Sequence, residues 1–154
     1  MLDTPHLTQT SEQPTAVIRL TVSRAEISHV MGPAIAEVLA AMAAQGANPV
    51  VPCFTYHTKR PSDLFAFEVG FPVGRPITPA GRVTMGKLPA ANIVRTVYTG
   101  GYAGLASAWG EFCAWIETEG LTPQDSLWEC YLSGPESNPD PATWRTELNR
   151  PLAT

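Results

Sequence analysis

Leu127-Trp128-Glu129-Cys130-Tyr131-Leu132 is an apolar and aromatic run with one carboxylate at its centre. Thr122-Pro123-Gln124-Asp125 precedes it and Ser133-Gly134-Pro135 follows, so turn formers bound it and it reads as a β-strand. Side chains alternate faces along a strand. Leu127, Glu129 and Tyr131 therefore share one face, while Trp128, Cys130 and Leu132 share the other, which reads as the core side. A carboxylate is costly to remove from water without a partner. Two readings of Glu129 stay open on this stretch alone: an ordinary acid on a solvent-facing strand, or a carboxylate set in an apolar, aromatic groove to meet a ligand.

Upstream, Ala16–Val22 reads as a first strand, and Ile27, Val30, Met31, Ile35, Val38, Leu39 and Met42 recur at helical spacing up to Gly46. Gly32-Pro33 suits a first helical turn, so the regular helix is expected to begin there. Val50–His57 and Leu64–Val73 read as strands parted by a Lys59-Arg60-Pro61-Ser62-Asp63 turn, and Arg82–Leu88 and Ala91–Thr99 as two more. Leu105, Ala108, Trp109, Phe112 and Ile116 form a second helical stripe ending at Gly120, and Trp144–Leu152 reads as the last strand. Leu105, Phe112, Ile116, Ile35 and Leu39 are the expected buried helix residues. Residues 1–14 read as a flexible leader and 15–154 as a single domain.

Strand, helix, strand, strand thus occurs twice, over about 15–73 and about 82–152. Gly46 aligns with Gly120, Tyr56 with Tyr131, and Glu68-Val69-Gly70-Phe71-Pro72-Val73 with Glu147-Leu148-Asn149-Arg150-Pro151-Leu152. Two such units bury their apolar surfaces by pairing, which predicts an α+β domain of pseudo-twofold repeats: antiparallel sheets, helices packed on one side, and a central groove. A cleft between such halves is a usual ligand site. The alignment puts Phe54 opposite Glu129 and Tyr56 opposite Tyr131, lining the groove with aromatics and leaving the acid on one side only. Trp109 is a further candidate for the groove, against its simpler reading as core.

The chain has 154 residues and a net charge of −4, with only 10 Lys and Arg. Neither that balance nor any helix-turn-helix pattern fits a nucleic-acid interface. Cys53, Cys113 and Cys130 lie far apart in apolar runs and read as free thiols of a reducing compartment. No signal sequence or apolar run of membrane-spanning length is evident, which makes a cytoplasmic protein the expectation. His6, His29 and His57 are too scattered for a metal site, and no cofactor is expected.

The segments Gly46–His57, Phe65–Val73, Gly86–Tyr102 and Trp128–Leu152, in this order, resemble the GyrI-like effector-binding domain, the small-molecule module of many AraC-type and MerR-type regulators. The resemblance implies two strand–helix–strand–strand modules around a groove for bulky cationic or aromatic compounds. It also implies that Glu129 is the main polar contact and that Tyr98 and Tyr131 line the groove. Two departures stand out: Asn149 where the family often has an aromatic, and Gly100-Gly101-Tyr102 for the usual Gly-Pro-Tyr. No DNA-binding segment precedes the domain in this sequence, so direct nucleic-acid binding is not expected.

Three functions follow, in order. The first is a stand-alone binder of small amphipathic compounds, with Glu129, Tyr131, Tyr98, Tyr56, Phe54 and Trp109 as ligand contacts. The second is hydrolysis of cyclopropane-bearing genotoxic compounds, as in some stand-alone relatives, with Glu129 and Tyr131 catalytic. The third is inhibition of a protein partner such as gyrase. Whether the chain forms a homodimer stays open.

Overall fold

The computed structural model describes residues 1–50, 52–59 and 64–153. Its strands are β1 (His6–Gln9), β2 (Gln13–Ser23), β3 (Phe54–His57), β4 (Leu64–Pro72), β5 (Val83–Leu88), β6 (Asn92–Thr99), β7 (Leu127–Ser133) and β8 (Arg145–Pro151). Its helices are α1 (Ile27–Ala44) and α2 (Leu105–Thr118), each entered through a 3-10 turn, Arg24–Glu26 and Tyr102–Gly104. The strands form one antiparallel sheet in the order β1-β6-β8-β7-β3-β4-β2-β5. Both helices pack on the same face, α1 over Ile18, Phe67 and Val69, and α2 over Val94, Tyr98 and Leu148. The expected α+β architecture is the observed one.

Short connections force the sheet to curl. Six strand spacings separate β1 from β2, and six separate β5 from β6, about 29 Å if the sheet were flat. Four Cα steps join Gln9 to Gln13 and Leu88 to Asn92, a reach of about 14 Å. The two connectors meet instead: Thr10 N donates to the Ala91 carbonyl at 2.9 Å and Thr10 Oγ1 to the Pro89 carbonyl at 2.8 Å. Curling buries the face without helices around Val17, Phe54, Leu88, Ile93, Trp128 and Cys130.

The strand order reads the same from both ends under a twofold exchange of β1 with β5, β6 with β2, β8 with β4 and β7 with β3. The axis passes between β3 and β7, where Thr55 and Glu129 face each other directly. Gly46 and Gly120, 74 residues apart, end the helices with φ of 66° and 72°, the left-handed conformation that glycine adopts without strain. The same offset matches the buried stripes, Ala34, Val38 and Met42 in α1 with Ala108, Phe112 and Ile116 in α2. The extra turn of α1 therefore lies at its N-terminal end.

Several expectations change. Tyr56 faces Glu68 across one strand pair and Cys130 faces Glu147 across the other. The Glu68–Glu147 equivalence thus makes Cys130, not Tyr131, the mate of Tyr56, and Thr55 the mate of Glu129. Helix α1 starts at Ile27 and contains Pro33, past its first turn, where a proline gives up the backbone bond to the His29 carbonyl and costs the helix stability. Leu39 is exposed and Leu105 and Ile35 are half-buried, whereas Phe112 and Ile116 are buried. Residues 1–14, expected as a leader, supply β1 and run along β6, with Asp3 N donating to the Val97 carbonyl. The helical run Arg24–Ala44 is, at 21 residues, long and apolar enough to cross a membrane, although no such run was expected. Here Ala34, Val38 and Met42 lie against the sheet. The turn expected at 59–63 has residues 60–63 outside the described residues, as is Val51 of the strand expected from Val50.

Candidate functional site

Between the helices, β3 and β7 form the strip of sheet on which the expected groove lies. Cys53 and the side chains of Thr55 and His57 project into it from one strand, and Leu127, Glu129 and Tyr131 from the other, because alternation gives odd-numbered residues of both strands the helix face. Thr55, His57 and Leu127 are buried, while Cys53, Glu129 and Tyr131 are half-buried.

Glu129 is held at both carboxylate oxygens. Trp109 Nε1 donates to Oε2 at 2.6 Å and the Tyr131 hydroxyl donates to Oε1 at 2.7 Å. Thr55 Oγ1 lies 2.8 Å from the Tyr131 hydroxyl and 3.5 Å from Oε1, so its single O–H is shared between the Tyr131 oxygen and the carboxylate. Among the described residues no Lys, Arg or His pairs with Glu129. Burial raises the Glu129 pKa above the usual carboxylate range, and the three donors offset part of that rise. Burial, and then the Glu129 charge, push Tyr131 well above the usual phenol value, so it remains a donor at neutral pH. Burial lifts the Cys53 thiol to about 12, which leaves it protonated and a poor nucleophile.

The two ends of the groove differ. At the Tyr131 end, the Tyr102 ring meets Tyr131 edge-on at 5.9 Å and lies 4.8 Å from Trp144. A Cβ on Gly134 would stand 2.5 Å from the Tyr102 hydroxyl and 3.1 Å from Glu136 Oε2, so the glycine lets the β7–β8 loop close over this end. At the other end His57 stacks on Phe67 at 5.1 Å and meets Phe65 edge-on at 6.2 Å, and the Arg24 guanidinium lies 5.7 Å from the Phe65 centroid.

Of the six expected ligand contacts, Glu129, Tyr131 and Trp109 come together. Tyr98 faces the helices but is tied to the start of α2, its hydroxyl donating to the Gly101 carbonyl at 2.9 Å. Phe54 and Tyr56 lie on the opposite, concave face, with Trp128 and Cys130. Sequence reasoning missed Thr55, Tyr102 and Trp144. The offset of 74 that joins Gly46 to Gly120 points to Thr55, and Tyr102 follows Gly100-Gly101 at a helix entry, but no pattern in the sequence brings Trp144 beside it.

The family model described as the GyrI-like small molecule binding domain matches residues 3–153. The chain belongs to the GyrI-like family. This GyrI-like fold is similar to the EcmrR C-terminal domain, with 24% identity, a TM-score of 0.81 and 97% of each chain covered. EcmrR in a DNA complex matches at 23% identity and a TM-score of 0.84 over 99% of this chain, which spans only 58% of that one. SAV2435 bound to tetraphenylphosphonium matches at 10% identity and a TM-score of 0.70, over 97% of this chain and 93% of its own. These likenesses establish the fold. Among proteins with curated descriptions, none matches the chain.

Proposed function

We propose that this GyrI-like domain binds amphipathic aromatic or cationic compounds in the groove, with Glu129 as the key polar contact. The observation that carries the reading is a half-buried carboxylate on the pseudo-twofold axis, ringed by Trp109, Tyr131 and Thr55 and paired with no cation among the described residues. Three neutral donors leave its charge uncompensated, and an aromatic surround attracts cations through the ring faces. The lipophilic cation named with SAV2435 is of this chemical kind. In the present arrangement Trp109 occupies Oε2, so a cation reaching that oxygen displaces the indole. A range of such compounds is accommodated because shape and charge, rather than many directional bonds, select them. Free thiols at Cys53, Cys113 and Cys130 fit a reducing, cytoplasmic setting.

Titration with tetraphenylphosphonium tests the reading. Glu129→Gln keeps the shape and removes the charge, and affinity is expected to fall by about 1.5–3 kcal/mol, roughly tenfold to more than a hundredfold. Unchanged affinity would remove Glu129 from the site. Hydrolysis is the second reading, favoured by the Tyr131–Glu129 bond, which joins an acid of raised pKa to a protonated phenol. It requires product from an electrophilic cyclopropane substrate, with turnover dropping about 10²-fold or more in Glu129→Gln.

A further inference from the structure

The pseudo-twofold relates the two ends of the groove residue by residue. His57 falls on Tyr131, since Thr55 falls on Glu129. Arg24 falls on Tyr102, each being the first residue of the 3-10 turn before its helix. Phe65 falls on Trp144, because Phe65 pairs with Val22 in one half and Gly100 N donates to the Trp144 carbonyl at the matching place in the other. One contact recurs, Arg24 with Phe65 in one half and Tyr102 with Trp144 in the other, while His57 meets Phe65 and Tyr131 meets Tyr102. The chemistry is reversed. One end offers Glu129, with Glu136 beside Tyr102 at the rim, and the other offers a guanidinium and an imidazole.

The Arg24 end has polar capacity that the protein leaves unused. His57 is 7% exposed and its Nδ1 has no hydrogen-bond partner among the described residues, a state that ordinarily calls for a ligand or water. Burial holds its pKa down at about 4, so at neutral pH the ring has one N–H to donate. Arg24 is exposed and, among the described residues, pairs with no carboxylate. The nearby Glu26 carboxylate is occupied, accepting from Ser23 N at 3.1 Å and Ser23 Oγ at 2.8 Å. Along the strand, His57 stands two residues from Thr55 on the axis, about 7 Å from the Glu129 position. That is the length of one or two aromatic rings.

We propose that Arg24 and His57 form an acceptor site for an anionic group, so that the groove selects ligands of opposite polarity at their two ends. Such a ligand has a cationic aromatic body at Glu129 and a carboxylate against Arg24 and His57. This rests on the small-molecule reading above and adds a charge preference to it.

Rhodamine B and its ethyl ester make the test, since they share the cationic xanthene and differ in the free carboxylate. Fluorescence titration is expected to show the free acid binding about tenfold tighter than the ester, the worth of one charge-assisted hydrogen bond. Arg24→Gln, at an exposed position, is expected to erase most of that preference and leave ester binding unchanged, and His57→Phe, which keeps the stack on Phe67, to weaken the free acid more than the ester. Circular dichroism reports whether the buried variant folds, and Arg24→Gln stands alone if it does not. Equal affinities for acid and ester in the unaltered protein overturn the proposal, as does a preference that survives Arg24→Gln. Glu129→Gln weakening both dyes shows that the underlying reading holds whichever way the preference falls. If neither dye binds, that reading fails and the proposal with it.

Discussion

The first half of the molecule gives its helix eighteen residues and the second gives fourteen, yet the same three positions of each face the sheet. In α1 they are Ala34, Val38 and Met42, and in α2 they are Ala108, Phe112 and Ile116. The second half buries a ring where the first buries a valine. It also carries an acid where the first carries a threonine, across a single pair of facing residues, Thr55 and Glu129. Symmetric backbones thus place two copies of every position around one axis, and substitution on one side turns the shared floor into a polar site. Duplication supplies the groove, and divergence supplies its chemistry.

The largest expected effect tests the packing side of this comparison. Phe112→Ala should destabilise the fold by about 3–5 kcal/mol in urea titration, because it empties the ring-sized space under α2. Val38→Ala, its counterpart, should cost less, since only two methyl groups go. Equal costs would mean that the two stripes are not equivalent.

The next effect belongs to His57, the counterpart of Tyr131. Its folded pKa of about 4 lies below the 6.5 of the unfolded chain, so between those values the unfolded state binds the extra proton. Its contribution is therefore full above pH 6.5 and is lost as pH falls towards 4, to a limit of about 3 kcal/mol. His57→Phe should flatten stability over that window, and a retained slope would assign it to other groups.

Smaller effects sharpen the central pair. Thr55→Val removes the hydroxyl behind Tyr131 and should weaken tetraphenylphosphonium binding by about 1 kcal/mol, below the loss expected for Glu129→Gln. A Thr55 effect as large as the Glu129 effect would mean that the hydroxyl, not the carboxylate, dominates. Trp109→Phe keeps a ring but removes the N–H held by Glu129 Oε2. It should tighten cation binding by a few-fold, the smallest change here, and weakened binding would make Trp109 a contact rather than a competitor.

Much of this is legible in the residues. The 3.6-residue stripes ending in Gly46 and Gly120, the repeated strand–helix–strand–strand order and the Glu68–Glu147 match all carry the fold, because local periodicity is written into consecutive residues. Period-2 alternation separates Glu129 and Tyr131 from Trp128 and Cys130, and the sheet does hold the two pairs on opposite faces. The equivalence of Tyr56 with Tyr131 fails by one residue, and a slip of one residue along a strand moves every side chain to the other face. That slip is why Phe54 and Tyr56, expected in the groove, lie on its reverse.

By itself, then, the sequence determined the elements after residue 14, their repeated order and the isolated acid of β7, since each element is written in residues close together along the chain. Only tertiary structure decided what surrounds that acid. Trp109 reaches Glu129 from 20 residues away and Thr55 from 74. Trp144 comes beside Tyr102, and Arg24 beside Phe65, through the pairing of strands distant in sequence. Those contacts depend on register and on a sheet curled by two short connectors, and both are set by long-range pairing that no local pattern encodes.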